Sequence, residues 1–441
     1  MKDEQISMAL TDNSEASTLQ KTGIILFASG ILSAIIALAG AGNAQPVLFF
    51  WLAFGLSTAG GLLYAYTYFK NPSGIQNNGI FKNGVNNSGV IAWLTGLVFT
   101  GFYIILYWFP QYLEGLIRAT DTFSVLLRNR PADQWFLYGT IYTLAVLVMG
   151  IRFIGKYRHS RYQVIRTLSV MFFQTGFAFL LPAVLLRLNQ PEFYFSYFWP
   201  LKYSYLFPND VNYFLNSGAV GYFMVFWGAV MTFIATPLLT YNYGKRWYCS
   251  FVCGCGGLAE TVGDPFRQNS DKSLLSWKIE RYSVHSVLVL VSLATILLWI
   301  NSYTNGTVLG NFSGSFAKSY GFFIGSIFSG VVGTGFYPIF GSRVWCRFGC
   351  PMAAILGIFQ RFKSKFRITT NGGQCISCGN CSTYCEMGID VRAYAQKGEN
   401  IIRASCVGCG ICSAVCPRGV LKLENLDEKG RFEGYTKPEI N

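Results

Sequence analysis

Long apolar stretches alternate with short polar segments over most of the 441-residue chain. Eight of these stretches are long enough to cross a hydrocarbon core of about 30 Å as helices. They cover roughly residues 23–42, 46–69, 89–112, 135–155, 165–187, 219–242, 284–301 and 320–341. The pattern predicts an all-α polytopic membrane protein whose transmembrane domain extends over 23–367.

The ends of the chain are polar and differ from this body. Residues 1–22 are predicted to form a cytoplasmic tail, 368–425 a small α+β domain, and 426–441 a polar C-terminal tail. The first apolar stretch ends in small residues between Ala39 and Gln45, which also resembles a signal-peptide cleavage region. We interpret this stretch as a retained span, and cleavage would leave the remaining topology unchanged.

Composition supports a bilayer environment. Apolar residues make up 52% of the chain and charged residues only 13%, whereas soluble domains carry about 25% charged residues. The formal net charge is +14. The location of these charges therefore decides what the excess means.

Lysine and arginine concentrate in the loops that follow the second, fourth, sixth and eighth apolar stretches. These loops carry nineteen of them, and the loops after the third, fifth and seventh carry six. Basic loops stay in the cytoplasm, so both termini are predicted to be cytoplasmic in a bacterial inner membrane. The charge is thus a topology signal, and no nucleic-acid-binding motif accompanies it.

Two consecutive cysteine runs near the C-terminus carry the clearest chemistry. Each run reads C-x2-C-x2-C-x3-C, and the second is followed by Pro417. A [4Fe–4S] cluster needs four thiolates, and in two-cluster ferredoxins the fourth ligand of each run serves the other cluster. The predicted ligands are Cys375, Cys378, Cys381 and Cys416 for cluster one, and Cys406, Cys409, Cys412 and Cys385 for cluster two.

Zinc and disulfides are the alternatives for these eight cysteines. Zinc usually takes two spaced cysteine pairs, and disulfides are rare in a reducing compartment. The segment resembles a bacterial two-cluster ferredoxin, with one departure at Glu386, where proline would be usual. Proline is not a ligand, so the departure affects the expected loop packing and not the clusters.

A second cysteine pattern occurs twice, 97 residues apart. The segments 244–253 and 341–350 share the pattern G-x-R-x-x-C-x-F-x-C, and each follows an apolar stretch on the predicted cytoplasmic side. Such an internal repeat indicates a structural duplication. Because one predicted span leads out and the next returns, both copies should meet on one face.

These paired motifs, followed by a two-cluster ferredoxin segment, resemble the membrane polyferredoxins. That family includes the nitrous-oxide-reductase regulator NosR and the quinol dehydrogenase subunit NapH. The resemblance covers about 219–425, and the second copy has the full C-x3-C-P motif with Pro351. The first copy departs from it, with Gly254 in place of proline and an additional Cys255. The chain lacks the flavin domain of NosR-like proteins.

The cysteines of the two motifs, Cys249, Cys253, Cys346 and Cys350, have two interpretations. In a helix, C-x3-C places two thiols one turn apart on one face. Two such pairs could bind a further iron–sulfur or other metal centre. Alternatively, they are reduced thiols that pack at helix ends, because free cysteine is often buried.

Two polar or amphipathic regions between the spans carry further expectations. The aromatic-rich segment 188–218 is predicted outside, either as an interfacial loop on the bilayer or as a docking patch for an external redox partner. Residues 262–283 are expected to form a helix in the membrane plane. None of the eight stretches contains Asp or Glu, and the chain has only His159 and His285. Ion pumping and an intrinsic transmembrane haem pair are therefore not expected.

These features predict a membrane-anchored iron–sulfur protein that passes electrons between cytoplasmic clusters and the quinone pool or a respiratory reductase partner. It would act within a quinol-linked oxidoreductase complex, with a partner subunit that carries haem or flavin. The alternative is a redox-sensing or metallocentre-assembly accessory protein. A third interpretation is an anchor whose clusters only brace the fold.

Overall fold

The computed structural model describes residues 17–75 and 88–425, and it is predominantly helical, as predicted. Most of the tail predicted at 1–22 and the whole tail predicted at 426–441 lie outside the described residues. Within the described ranges, seven helices are long and apolar enough to cross a membrane. They are α1 (Thr18–Ala44), α2 (Pro46–Lys70), α3 (Val90–Trp108), α4 (Gln134–Tyr157), α5 (Arg161–Arg187), α6 (Ala219–Tyr243) and α7 (Leu274–Tyr303).

The first helix begins five residues before the predicted start because a capping box defines its end. The Ser17 hydroxyl accepts a hydrogen bond from the Gln20 backbone, and the Gln20 side chain accepts one from the Ser17 backbone. Such reciprocal bonds satisfy donors that a helix N-terminus leaves unpaired. Local polar chemistry therefore extends the helix beyond its apolar part.

The predicted eighth stretch is helical but is not among these seven. Helix α8 consists of Phe312–Tyr320, Gly321–Val332 and Gly333–Gly335, and its many glycines and serines lower its hydropathy. The two cysteine motifs lie before α7 and after α8 and meet in one buried core. The chain therefore leaves that core along α7 and returns to it along α8, and the eighth span stays a prediction.

Small residues allow the first two helices to approach closely, as expected of membrane helices. A Cβ added at Gly60 of α2 would lie 2.4 Å from the Phe27 nitrogen of α1. One added at Gly30 would lie 2.2 Å from the Ser57 hydroxyl. Any larger residue at these positions would push the helices apart.

Part of the aromatic segment 188–218 folds into the protein, whereas Leu188 (63%) and Tyr213 (59%) are exposed. Its interpretations as an interfacial loop or a docking patch stay predictions. Phe193, Phe198 and Tyr205 are each 1% exposed. The Tyr248 hydroxyl donates to the Ser196 carbonyl at 2.6 Å, which joins this segment to the first cysteine motif. The aromatic side chains fill space among the helices, which sequence composition alone does not distinguish from an interfacial belt.

The amphipathic region 262–283 does not form one helix in the membrane plane. It contains a short 3₁₀ helix at Asp264–Asn269, after which α7 begins at Leu274. The Ser273 hydroxyl caps α7 by accepting a hydrogen bond from the Ser276 backbone. The amphipathic pattern therefore belongs largely to the first turns of a helix that continues as a span.

The C-terminal segment is the small α+β unit that the cysteine runs predict. Helix α9 (Pro351–Lys363) leads into strand β1 (Phe366–Thr370), which pairs antiparallel with β2 (Leu421–Asn425). Between the strands lie a 3₁₀ helix at Gly372–Gln374 and three short α-helices, Asn380–Thr383, Val391–Lys397 and Ile411–Ala414. We call residues 366–425 the ferredoxin segment. The sheet closes both cysteine runs into one compact unit.

Other short helices connect the long ones. They are Pro110–Leu113, Glu114–Ala119, Asp121–Arg128, Pro208–Leu215, Arg246–Cys249, Gly254–Thr261, Tyr337–Phe340 and Val344–Phe348. Of the four that lie between 246 and 348, Arg246–Cys249 and Val344–Phe348 belong to the two copies of the repeat, Gly254–Thr261 follows the first copy, and Tyr337–Phe340 precedes the second. They position the candidate site described next.

Candidate iron–sulfur centres

Each cysteine run of the ferredoxin segment turns through left-handed backbone before a short helix. Gly379 and Gly410, at matching positions, have φ of 82° and 73°. Glycine adopts this conformation without the steric cost that a Cβ imposes. The helices that follow carry Cys381 and Cys412. Each run therefore curls around a space that its first three cysteines share.

The two spaces are cavities lined by the two predicted ligand sets. One cavity is lined by Cys375, Cys378, Cys381 and Cys416. The other is lined by Cys385, Cys406, Cys409 and Cys412. The last cysteine of each run thus reaches the cavity of the other run, and four thiols per cavity are the donor set of a [4Fe–4S] cluster.

Four cysteines around each cavity match the donor set of a cluster. In the described part of the chain, no group of three or more His, Cys, Asp or Glu side chains forms a site for a single metal ion. In a four-iron cluster each thiolate binds a different iron, so the sulfurs surround the cluster. Burial raises the pKa of Cys409 to about 12 and that of Cys406 to about 11, so these thiols require a bound metal to become thiolates.

The two cavities differ in their surroundings. The first is bordered by exposed residues, including Ile376, which is 48% exposed. The second is covered by the membrane domain, which donates hydrogen bonds to its backbone carbonyls. These bonds run from Tyr162 to Gly408 (2.7 Å), Gln163 to Cys409 (2.9 Å), Ser250 to Val407 (2.9 Å) and Gln360 to Cys406 (2.7 Å).

The C-x3-C pairs form corners between helices, so the expected placement one turn apart on a single helix is wrong. Cys249 ends the helix Arg246–Cys249, and Cys253 precedes the helix Gly254–Thr261. In the second copy, Cys346 lies in Val344–Phe348 and Cys350 precedes α9. The Cys253 backbone nitrogen donates to the Tyr248 carbonyl at 2.8 Å, and the Cys350 backbone nitrogen donates to the Trp345 carbonyl at 2.9 Å. The two copies therefore make the same turn.

The four thiols of these corners lie in one buried core. Cys249, Cys253, Cys346 and Cys350 are 6–8% exposed, and the same core contains Cys381, Cys406 and Cys412 of the ferredoxin segment. Burial raises the pKa of Cys249 to about 12 and raises that of Cys350 well above its usual range. Such thiols stay neutral unless a cation compensates their charge.

Cys255, which sequence reasoning left aside, lies beside this group. A hydrogen bond between the side chains of Cys255 and Cys253 lowers the pKa of Cys253 to about 7. The departure at Gly254 has a steric reason. A Cβ there would lie 2.3 Å from the Tyr197 hydroxyl oxygen, so a proline would collide with the buried aromatic segment.

A buried ion-pair network lies between the cysteine corners and the second cavity. We define it as Arg152, Lys156, Arg166, Glu260, Asp264, Arg267, Arg343 and Glu386, which are five cations and three carboxylates. Burial would raise the pKa of Asp264, but Lys156, Arg267 and Arg152 hold it well below its usual range. The Asp264 carboxylate therefore remains charged, and basic groups outnumber carboxylates in the network.

Glu386 connects the ferredoxin segment to this network. Its carboxylate contacts Arg267 at 2.7 Å and Arg343 at 3.0 Å. Arg343 also lies 3.6 Å from the Cys346 sulfur and forms an ion pair with Glu260. The residue that departs from the ferredoxin pattern thus attaches cluster-two cysteines to the membrane domain. The sequence analysis did not predict this role. The feature that could have indicated it is the charged Glu386 at a position where ferredoxins usually have proline.

Comparisons with protein families agree with both cysteine patterns. A 4Fe–4S dicluster domain model matches residues 374–421. A 4Fe–4S binding domain model matches twice, at 225–273 and 320–369, which are the two copies of the C-x3-C repeat. Together with the helices, these matches define a multi-pass membrane iron–sulfur protein with ferredoxin-type domains that bind [4Fe–4S] clusters.

Similarity to individual proteins is more limited. The chain is 25% identical over 163 residues to the uncharacterized protein MJ0749 of Methanocaldococcus jannaschii, covering 37% of this chain and 59% of the relative. It is 38% identical over 53 residues to the putative electron transport protein YccM of Escherichia coli, covering 12% of this chain and 15% of the relative. The chain therefore covers less than two thirds of either relative. No solved structure matches it.

Proposed function

We propose that the chain is an electron-transfer protein of the bacterial inner membrane. It would pass electrons between cytoplasmic [4Fe–4S] clusters and either the quinone pool or a respiratory reductase partner. The observation that carries this proposal is the single buried core that contains cysteines of both the ferredoxin segment and the C-x3-C corners. The similarity to a putative electron transport protein supports it.

The proposed ligands are the quartets that line the two cavities. Cys375, Cys378, Cys381 and Cys416 would hold cluster one, and Cys385, Cys406, Cys409 and Cys412 would hold cluster two. When bound, such clusters supply one-electron transfer at potentials that burial, charge and hydrogen bonds adjust. The chain's own contribution is to leave the first quartet near solvent and to cover the second.

The C-x3-C corners are proposed to hold a third metal centre through Cys249, Cys253, Cys346 and Cys350. Matched corners bring their buried thiols together, and both corners fall within regions similar to a 4Fe–4S binding domain. A centre here would lie on the membrane side of cluster two.

The ion-pair network favours the reduced form of centres beside it. Thiolate-ligated clusters gain negative charge on reduction, and the network has five cations against three carboxylates. Opposite charge at short range in a buried site stabilises the more negative state. The network is therefore expected to raise the reduction potential of cluster two relative to the same quartet in water.

Membranes that contain the full chain test the proposal. We expect the clusters to be reduced by a quinol, or oxidised by a quinone analogue, with EPR signals that follow turnover. The asymmetry of basic residues predicts that a tag at either terminus is accessible only from the cytoplasm. A chain with full clusters that reacts with no quinone and with no haem- or flavin-carrying partner subunit would favour the accessory, redox-sensing alternative.

A further inference from the structure

A cavity of about 540 Å³ opens beside the second cysteine corner. Its walls come from the first turns of α7, from α9 and from the loop that precedes the second cysteine run. The cavity is strongly basic, with Glu280 as the only carboxylate among its lining residues. The basic side chains are Lys245, Arg281, Arg347, Arg361 and Arg403, and Cys346 lies on the wall.

Three of the five cations already have protein partners. Arg347 forms an ion pair with Glu280 at 2.7 Å. Lys245 donates to the Ala404 carbonyl at 2.9 Å, and Arg403 donates to the Tyr394 hydroxyl at 3.1 Å. These three cations are satisfied within the protein and define the shape of the wall.

Arg281 and Arg361 are different. Both are exposed, and among the described residues neither has a hydrogen bond or an ion pair with a protein group. Guanidinium groups present parallel donors that match the oxygens of phosphate. Two unpaired guanidiniums at one cavity are therefore suited to an anion that the protein does not itself provide.

The surface around these two arginines is apolar and exposed. Tyr282 is 74% exposed and Phe362 is 70% exposed, and Leu274, Leu275 and Ile358 are exposed nearby in sequence. Apolar side chains beside basic ones are typical of helices at a membrane interface. A ligand with a phosphate head and hydrocarbon chains would satisfy both parts of this surface.

We propose that this cavity binds the phosphate head group of an anionic phospholipid. Arg281 and Arg361 would contact the phosphate oxygens, and the acyl chains would follow Tyr282, Ile358 and Phe362 into the bilayer. Basic pockets at the cytoplasmic ends of membrane helices bind such head groups. Because Cys346 lines the cavity, a bound lipid would also cover the second cysteine corner from water.

The test measures lipid binding to the full, cluster-containing chain in detergent by native mass spectrometry. Phosphatidylglycerol is the probe, phosphatidylcholine is the uncharged comparison, and glycerol phosphate represents a free phosphate. The cavity variant is Arg281→Gln with Arg361→Gln. The matched control is Lys278→Gln with Lys363→Gln, which removes the same charge from the same two helices at positions that do not line the cavity.

We expect phosphatidylglycerol to bind more tightly than phosphatidylcholine and glycerol phosphate not to displace it. Its affinity should fall more than about tenfold in the cavity variant and less than about threefold in the control. Equal loss in both variants would mean general surface attraction and overturn the proposal. Equal binding of both lipids, displacement by glycerol phosphate, or displacement by an uncharged quinone analogue would also overturn it.

Discussion

The two cysteine quartets are built from the same run of sequence but occupy different environments. The cluster-one cavity ends at the exposed residues Pro417 and Arg418. At the matching position after the first run stands Glu386, which is 1% exposed and ion-paired with the membrane domain. Identical ligand spacing therefore does not produce equivalent sites. Glu386 follows the first run on the side of the segment that faces the membrane helices, and Pro417 follows the second run on the exposed side.

This difference orients the proposed electron path, with cluster one at its solvent end and cluster two at its membrane end. A cluster near solvent can approach a soluble partner, whereas a covered cluster lies beside the cysteine corners. The second run packs against the membrane domain, and its backbone carbonyls accept hydrogen bonds from the side chains of Tyr162, Gln163 and Gln360. We expect variants of the two quartets to behave unequally, and four predictions test that expectation.

The largest expected effect is on metal content. Cys412→Ala should remove cluster two and with it about four iron atoms per chain. Cys378→Ala should remove a similar amount of iron from cluster one. Only Cys412→Ala should also expose the interface with the membrane domain, because only the cluster-two cavity lies against that domain. Iron analysis combined with limited proteolysis of both variants measures this, and unchanged iron in Cys412→Ala would contradict the ligand assignment.

The next effect concerns transfer without loss of the ferredoxin clusters. Cys346→Ala should abolish quinol-linked electron transfer and leave both cubane EPR signals, because its sulfur belongs to the second corner. The control is Val344→Ala, which truncates a buried residue in the same short helix without removing a thiol. Normal electron transfer in Cys346→Ala would mean that the corner cysteines only pack and hold no redox centre.

The third prediction concerns docking. Glu386→Gln leaves the buried Arg267 and Arg343 with one ion pair fewer each, and breaking a buried pair typically costs about 3–5 kcal/mol. We expect a lower unfolding temperature and a higher reduction potential of cluster two, because the substitution removes one of the three carboxylates and leaves the five cations of the network in place. Exposed Glu399→Gln in the same segment should change stability by less than about 0.5 kcal/mol. Equal effects of the two substitutions would contradict the docking role.

The smallest expected effect compares one backbone position in the two runs. Ser377 and Gly408 occupy matching places, with φ of 58° and 67°. A Cβ at Gly408 would lie 2.6 Å from the Arg246 Cβ, whereas Ser377 is exposed. Gly408→Ser should therefore destabilise the protein by about 1–3 kcal/mol, and Ser377→Gly by less than about 1 kcal/mol. Thermal unfolding of both variants checks the difference, and equal shifts would mean that the covering helices exert no constraint.

Several features were predictable because they depend on short-range chemistry. Apolar length predicted the membrane helices, and the spacing of cysteines predicted a two-cluster segment. The repeat that contains Cys249 and Cys346 predicted that both copies lie together, and the structure brings them into one core. Even here local detail differed, because the chain turns between Cys249 and Cys253 and between Cys346 and Cys350 instead of continuing as helix.

The sequence by itself determined the membrane class, the two ferredoxin runs and the duplication of the C-x3-C motif, since each follows from hydropathy or from residue spacing. Only the tertiary structure decided that Glu386 is a docking residue, that Phe198 of the aromatic segment is buried, and that one quartet is covered while the other is open. The physical reason is that burial and charge pairing depend on distant partners. Glu386 and Arg267 are 119 positions apart in the chain, and no local pattern specifies that they meet.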